Sequence, residues 1–109
     1  MSQNSSINLE NALRITLKTG KVIIGSKRSL KAIKQGNVRM VIKASNCPDH
    51  IASDIYKYCN EFEPKIDIYE FKGSSLDLGF LCGKPYMISV LGIISEGDSD
   101  ITKLLEKNE

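Results

Sequence analysis

Residues 20–48 read GKVIIGSKRSLKAIKQGNVRMVIKASNCP, and this stretch decides the fold. Within it, the apolar β-branched run Val22–Ile24 predicts a short buried strand, and the glycine that follows separates the strand from a helix over residues 26–35. Gly36 fits the end of that helix, and Met40–Ala44 predicts a second strand that leads into a turn. Strand and helix alternating over so short a distance are typical of an α/β protein.

The same alternation continues on both sides of this stretch. Before it, leucines spaced by four predict a helix over residues 9–19, with Asn8 as its cap and Gly20 at the position that ends it. After it, Ser74 and Asp77 have the spacing of a capping box at the start of a short helix. The other predicted elements are a third helix after Pro48, a third strand over 66–71, a most apolar fourth strand over 87–94, and a last helix near 101–107.

Five helices that alternate with four strands predict a three-layer α/β/α sandwich, in which helices cover both faces of a four-stranded mixed sheet. The most apolar strand is expected at the centre of that sheet. At 109 residues, the whole chain (1–109) is predicted to form one domain, with residues 1–7 flexible.

Composition also bears on location and assembly. No apolar run approaches the roughly 18 residues that span a bilayer. The N-terminus lacks the basic start and apolar centre of a secretory signal. The chain is therefore expected in the cytoplasm, with no membrane partner. We also expect it to be a monomer when free.

The sequence offers little support for catalysis or for a cofactor. The three cysteines are odd in number and widely spaced, which argues against a disulfide framework or a zinc site. There is one histidine, His50, and no carboxylate pair stands beside a nucleophile. A mononucleotide P-loop is a near miss at residues 20–29, because the residues between its glycines read as a strand. We therefore predict no enzyme, no cofactor and no metal site.

Charge is sorted along the chain. Residues 1–46 hold nine of the 15 Lys and Arg residues and one acid, Glu10, for a net charge of +8, whereas residues 47–109 carry −6. A one-sided basic surface is the usual electrostatic footprint of a polyanion site. The alternative is that these lysines only solvate the surface.

The sequence GSKRS at residues 25–29 is the clearest local signal. Gly25 lets a phosphate approach the backbone, and the free N–H groups at a helix start attract anions. Lys27 and Arg28 fall in the first turn of the predicted helix, where the helix dipole disfavours each cation by about 0.3–1 kcal/mol. Lys27, Lys31 and Lys34 follow one another at positions i, i+4 and i+7, so that one face of the helix is cationic. A polyanion docked at this helix start would account for cations at an unfavourable position. The alternative is a solvated helix face, which does not account for them.

Two further loops are candidate binding segments. The turn Asn46-Cys47-Pro48 joins the end of a strand to the start of a helix, which is the rim that ligands of α/β sheets favour. An exposed Asn amide both donates and accepts, which suits a base edge, although a plain helix cap is the alternative. The segment LGFLCGKPY at residues 78–86 ends a helix with apolar and aromatic tips that could stack on splayed bases, or it is a buried helix terminus followed by a turn.

Together, these segments resemble the e-type large-subunit ribosomal protein family numbered thirty, within the kink-turn RNA-binding superfamily. The resemblance covers residues 7–105. The final acidic segment is particular to the ribosomal branch. The segments that carry the resemblance are TGKVIIGSKRS at 19–29, QG at 35–36, ASNCP at 44–48, YEFKG at 69–73, LDLG at 76–79, GK at 83–84 and EGDSDI at 96–101.

The resemblance implies a structural, non-enzymatic protein of the large ribosomal subunit, with ribosomal RNA and other ribosomal proteins as partners. One rim of the sandwich would clasp a kinked internal loop of the RNA. Asn46 would contact a flipped or sheared purine, and the residues around Gly83 would cover an unstacked base. The RNA-binding residues that the resemblance and the motifs together predict are Gly25, Ser26, Lys27, Arg28, Lys31, Asn46, Cys47, Pro48, Leu81, Cys82, Gly83, Lys84 and Tyr86.

Two other functions remain open from the sequence. The chain could be a kink-turn-binding core protein of an RNA-modification or splicing particle, a reading that the acidic segment at residues 96–101 disfavours. It could also be a small-molecule-binding α/β domain, which the scarcity of titratable groups near one another disfavours.

Overall fold

The computed structural model describes residues 9–101, which form four helices and four strands. In chain order these are α1 (Leu9–Thr19), β1 (Lys21–Ile24), α2 (Ser26–Lys34), β2 (Met40–Lys43), α3 (Asp49–Cys59), β3 (Asp67–Glu70), α4 (Ser75–Leu81) and β4 (Val90–Ser95). The predicted Asn8 cap, the flexible residues 1–7 and the body of the helix near 101–107 lie outside the described residues. Among the described helices, none has the length and apolar character needed to cross a membrane.

The four strands form one sheet in the order β1-β4-β2-β3. Strands β2 and β3 are parallel, whereas β4 runs antiparallel to both β1 and β2. The sheet is therefore mixed, as predicted, and its most apolar strand is central. All four residues of β2 are buried, as are the first four of β4, which is expected of strands covered on both faces.

Helices cover both faces because successive side chains of a strand point to opposite sides. On β2, Met40 and Ile42 pack with α1 and α4 in one apolar cluster. Val41, which lies between them, belongs to a second cluster with α2 and α3. Leu13 of α1 and Ile33 of α2 are fully buried in these two clusters. This arrangement confirms the three-layer α/β/α sandwich.

The fourth strand starts later than the sequence predicted. Met87 is exposed, and the N–H of Ile88 donates to the Ser75 oxygen at 3.0 Å instead of to a strand. Strand pairing begins at Val90. Ile88 does not pair in the sheet. Its backbone instead attaches the segment between α4 and β4 to the start of α4.

Gly20 follows α1, as predicted. It does not, however, adopt the left-handed backbone conformation that often ends a helix. Its φ is not among the positive values found at Gly25, Gly36, Gly83 and Gly97. A Cβ at Gly20 would overlap the carbonyl oxygen of Ser95, the last residue of β4. The glycine is required because the end of α1 passes close to the sheet backbone.

Gly79 marks a second close approach, between α4 and the segment that leads to β4. It is buried inside the helix, and a Cβ there would overlap the carbonyl oxygen of Tyr86. Since backbone atoms cannot move aside as a flexible side chain can, this contact fixes how α4 lies on the following segment.

We expect Gly79→Ala to destabilise the protein, although alanine is the better helix former by about 1 kcal/mol. The overlap with the Tyr86 oxygen should lower the free energy of unfolding by about 1–3 kcal/mol, as measured by urea denaturation. Leu76→Ala, on the exposed side of the same helix, is the control and should change it by about 0.5 kcal/mol or less. A stabilised Gly79→Ala protein would contradict this account.

Candidate RNA interface

Four loops meet at one end of the sheet because of the strand directions. Strands β1, β2 and β3 all end where the antiparallel β4 begins. The Gly25 N–H donates to the Val90 oxygen at 3.0 Å, and the Ala44 N–H donates to the Ser89 oxygen at 2.8 Å. We call this end the rim, defined as residues 25–28, 44–48, 71–75 and 82–89.

The start of α2 presents a cationic helix end at the rim. Its N-cap, Gly25, has φ 114°, a conformation that favours glycine, and no side chain caps the helix. The first turn contains no acid, and Lys27 and Arg28 are exposed there, as predicted. A Cβ at Gly25 would meet no atom within 4 Å, so the space above this backbone is open. The arrangement suits an anion that approaches the free N–H groups.

Several other basic residues of the first half make contacts within the protein. The Lys34 ammonium lies 4.7 Å from the centre of the Tyr58 ring, and Lys43 is buried, with its ammonium 5.9 Å from the centre of the Tyr56 ring. Arg39 pairs with Glu96 at 3.8 Å. By contrast, Lys27, Arg28 and Lys31 are exposed and have no ion pair or ring contact within residues 9–101.

Asn46 connects the turn after β2 to α4. Its Oδ1 accepts a hydrogen bond from the Ser75 N–H at 2.8 Å. The predicted alternative, a cap on the helix that follows Asn46, is not what the side chain does, because the N-cap of α3 is Pro48 and has no side-chain bond. Asn46 caps a different helix, far along the chain, and no local sequence pattern indicates this.

The rim thiols are buried. Cys47 and Cys82 belong to the two apolar clusters, and Leu81 is partly buried against one of them. Burial raises the pKa of Cys82 to about 11, and burial is also the main cause that raises the pKa of Cys47, against the opposing Lys43 charge. A helix start therefore does not activate Cys47 as a thiolate. RNA contacts of Cys47, Leu81 and Cys82 stay predictions, and for the two buried thiols they would involve the backbone.

Exposed apolar side chains lie on the segment where we expected a cover over a base. Phe80 is 84% exposed, and Tyr86 and Met87 are also exposed. Phe80 was not among the predicted site residues. Its phase on the helix could have indicated it, because Leu78 and Cys82 lie four positions apart on the buried face and Phe80 lies between them, off that face. Gly83, with φ 73°, and Lys84 form the turn beside it.

A shallow groove of about 230 Å³ lies between the starts of α2 and α3. It is lined by Ser26, Lys27, Leu30, His50, Ile51 and Asp54. This volume is below the roughly 300–1,000 Å³ of pockets that bury a whole small-molecule ligand. Within residues 9–101, no three His, Cys, Asp or Glu side chains cluster as metal ligands would.

Comparisons with known proteins agree on one family and one fold. Residues 7–103 match the Ribosomal protein L7Ae/L30e/S12e/Gadd45 family. The chain is 48% identical to the large ribosomal subunit protein eL30 of Saccharolobus solfataricus, covering 93% of this chain and 92% of that protein. It is 38% identical to eL30 of Methanocaldococcus jannaschii, covering 100% and 97% respectively.

A solved structure, of a protein with unknown function from Bacillus halodurans, has the same fold. Its TM-score to this chain is 0.75 at 21% identity, and the match covers 92% of this chain and 94% of that one. At that identity the likeness concerns the fold alone.

We expect the buried thiols to make stability fall at alkaline pH. Burial raises the pKa of Cys59 and Cys82 from 9.0 to about 11. Between those values the unfolded chain binds fewer protons than the folded one, so the free energy of unfolding should fall as the pH rises from 9 to 11. The decline should be on the order of 1 kcal/mol per thiol. Urea unfolding across that window measures it.

The control is the double variant Cys59→Ala, Cys82→Ala. The quantity compared is the slope of the free energy of unfolding with pH, not the absolute free energy. Its decline between pH 9 and 11 should be clearly shallower than that of the wild-type protein. Equal slopes would mean that the two thiols are not protected by burial.

Proposed function

The chain belongs to the Ribosomal protein L7Ae/L30e/S12e/Gadd45 family, and from this premise we propose that it is a structural protein of the large ribosomal subunit that binds a kinked internal loop of ribosomal RNA. Its partners would be ribosomal RNA and other ribosomal proteins, and its place the cytoplasmic ribosome. It would act by binding and not by catalysis.

One observation carries the proposal: a cationic helix start and an exposed amide lie at a single rim, and an exposed aromatic ring lies near the end of α4, the helix that leads into it. Lys27 and Arg28 supply positive charge beside the open backbone at Gly25. Asn46 supplies a polar group able to meet a base, and Phe80 supplies a surface on which an unstacked base can lie. Phosphate contacts position an RNA, whereas contacts to bases specify it, and the rim offers both.

The form of the rim favours folded RNA over other nucleic acids. Proteins that bind single strands without sequence preference need a row of stacking side chains, and few aromatic residues are exposed among residues 9–101. Readers of duplex DNA usually insert a helix into the major groove. Here the candidate contacts come from helix ends and loops, which suits a bend or an internal loop.

The relatives favour the ribosomal assignment over the alternatives. The similar archaeal proteins are named large ribosomal subunit proteins, and they match nearly the whole chain. The names of these relatives indicate the ribosome and not an RNA-modification or splicing particle. The names of the relatives give no support to a small-molecule-binding domain.

The assignment to a particle is tested by crosslinking the protein to RNA in cell lysate and sequencing the attached RNA. Large-subunit ribosomal RNA should dominate, and the protein should sediment with ribosomes. Enrichment of small guide or splicing RNAs would favour the alternative and overturn the ribosomal assignment.

We expect Lys27→Ala to weaken binding to a synthetic kink-turn RNA by about 1–3 kcal/mol, because a charge-assisted contact is lost at the helix start. The slope of log K against log salt should also become shallower by about one. Titrations at several salt concentrations measure both quantities.

Lys65→Ala is the matched control. Lys65 is an exposed lysine between α3 and β3, at the end of the sheet opposite the rim, and its removal should leave the slope nearly unchanged. If both variants weakened binding equally, the rim would not be the binding site. If the wild type bound a straight duplex as tightly as the kinked RNA, the protein would not recognise the kink.

We expect Phe80→Ala to weaken RNA binding by about 1–3 kcal/mol, the usual contribution of one base stacked on an aromatic side chain. Since Phe80 is 84% exposed, the free energy of unfolding should change by about 0.5 kcal/mol or less. Leu76→Ala, one turn earlier on the same helix, is the control, because leucine has no ring on which a base can stack. Unchanged affinity in Phe80→Ala would exclude stacking at this residue.

A further inference from the structure

Helices α2 and α3 pack side by side and run away from the rim together. Each follows a strand that ends at the rim, and both cover the same face of the sheet, where Ile33 of α2 and Ile55 of α3 belong to one apolar cluster. With nine residues, α2 is about 13 Å long. The last turns of the two helices therefore lie together at the end of the protein opposite the rim, which we call the far end.

A row of lysines follows one side of α2 from the rim toward the far end. Lys27, Lys31 and Lys34 are exposed, and their spacing of four and then three residues places them on the same side of the helix, over about 10 Å. Within residues 9–101, none of the three forms an ion pair. Like charges at this spacing repel one another, and the helix dipole favours only the two in the last turn. We call these three residues the lysine row.

Helix α3 adds a fourth lysine where the row ends. The Lys34 ammonium lies 4.7 Å from the centre of the Tyr58 ring, and the Lys57 ammonium lies 5.2 Å from the centre of the same ring. Tyr58 is partly buried against the apolar cluster between the helices and the sheet. Neither lysine forms an ion pair with another described residue. We call Lys34, Lys57 and Tyr58 the far-end cluster.

The far-end cluster is not explained by the helix dipoles alone. Lys34 and Lys57 both lie in the last turn of a helix, where a cation is favourable, but this does not require the two charges to meet at one ring. The ring attracts both cations and limits the freedom of two otherwise flexible side chains. Binding an anion there costs less entropy than gathering free lysines. Two cations held together in this way suit a phosphate group.

The acids of α3 lie closer to the rim than the far-end cluster does. Asp49 is in the first turn of α3, and Asp54 lines the groove beside Lys27. A polyanion on this face would therefore follow α2 and meet α3 only at Lys57, beyond those acids.

We propose that the lysine row and the far-end cluster form a second RNA contact, which binds the sugar-phosphate backbone of a duplex that runs from the rim to the far end. This inference rests on the proposed function. One strand of a duplex carries a phosphate about every 3.4 Å along its axis, so a row about 10 Å long faces about three phosphates. The duplex is a stem of the kinked RNA itself or a separate helix of the ribosomal RNA, and its phosphates are the same in both cases. Such contacts position an RNA without reading its sequence.

The test compares synthetic kinked RNAs that differ only in the length of their stems. Each stem in turn is extended by about six base pairs, which exceeds the length of α2. One of the extended RNAs should bind the wild-type protein about tenfold more tightly than the short RNA. In a second arm, the complex with the short RNA is titrated with a separate straight duplex, which it should bind if the contact is made by another helix. No gain in either arm would overturn the inference.

The double variant Lys34→Gln, Lys57→Gln isolates the far-end cluster. Both side chains are exposed, so the variant should fold, and the rim is unchanged. The gain found with the wild type should disappear, while the affinity for the short RNA stays the same. With the RNA that gives the gain, the slope of log K against log salt should become shallower by about two.

Arg14→Gln, Lys18→Gln is the matched control. It removes the same net charge from exposed positions of α1, on the opposite face of the sheet, and should keep the gain. An equal loss of the gain in both double variants would show that net charge is responsible, and the inference would be wrong.

The failure of this inference can be told from the failure of the proposed function. Wild-type protein that binds a straight duplex as tightly as the short kinked RNA would contradict the proposed function. Preference for the kinked RNA, with no gain that depends on Lys34 and Lys57, would contradict only the second contact.

Discussion

The central position of β4 is the constraint on which the rest of the structure depends. Because β4 runs antiparallel to both of its neighbours, β1 and β2 end where it begins, and the parallel β3 ends beside them. The bonds from Gly25 to Val90 and from Ala44 to Ser89 then set the spacing of the loops. Segments that are far apart in the chain come together at one edge for this reason.

The parts of the fold that depend on local patterns could be predicted from the sequence. The strand Val22–Ile24, the helix over residues 9–19 and the Ser74–Asp77 capping box each follow from neighbouring residues, and each is present. The strand was predicted to be buried, but it is only half-buried because it lies at the edge of the sheet. The start of β4 could not be predicted in this way. Residues 87–89 have a strand-like composition, but the partner of the Ile88 N–H is on α4, and that choice depends on how the helix packs.

The same distinction applies to the candidate site. The exposure of Lys27 and Arg28 follows from where α2 begins, so the sequence was sufficient to predict it. The burial of Cys82 and the exposure of Phe80 depend on how α4 is rotated about its axis on the sheet. The sequence indicates this rotation only if Leu78 is assumed to face the core. The Asn46–Ser75 bond has no local signal, because its two residues meet only after the sheet has formed.

The exposed ring of Phe80 also has a consequence for the unbound protein. Together with Leu76, Tyr86 and Met87 it places apolar side chains in water on one helix and the segment after it. Exposed apolar patches of this kind promote self-association unless a partner covers them. If RNA is that partner, binding would remove these side chains from water, and the apolar surface would be exposed only on copies that are not bound to RNA.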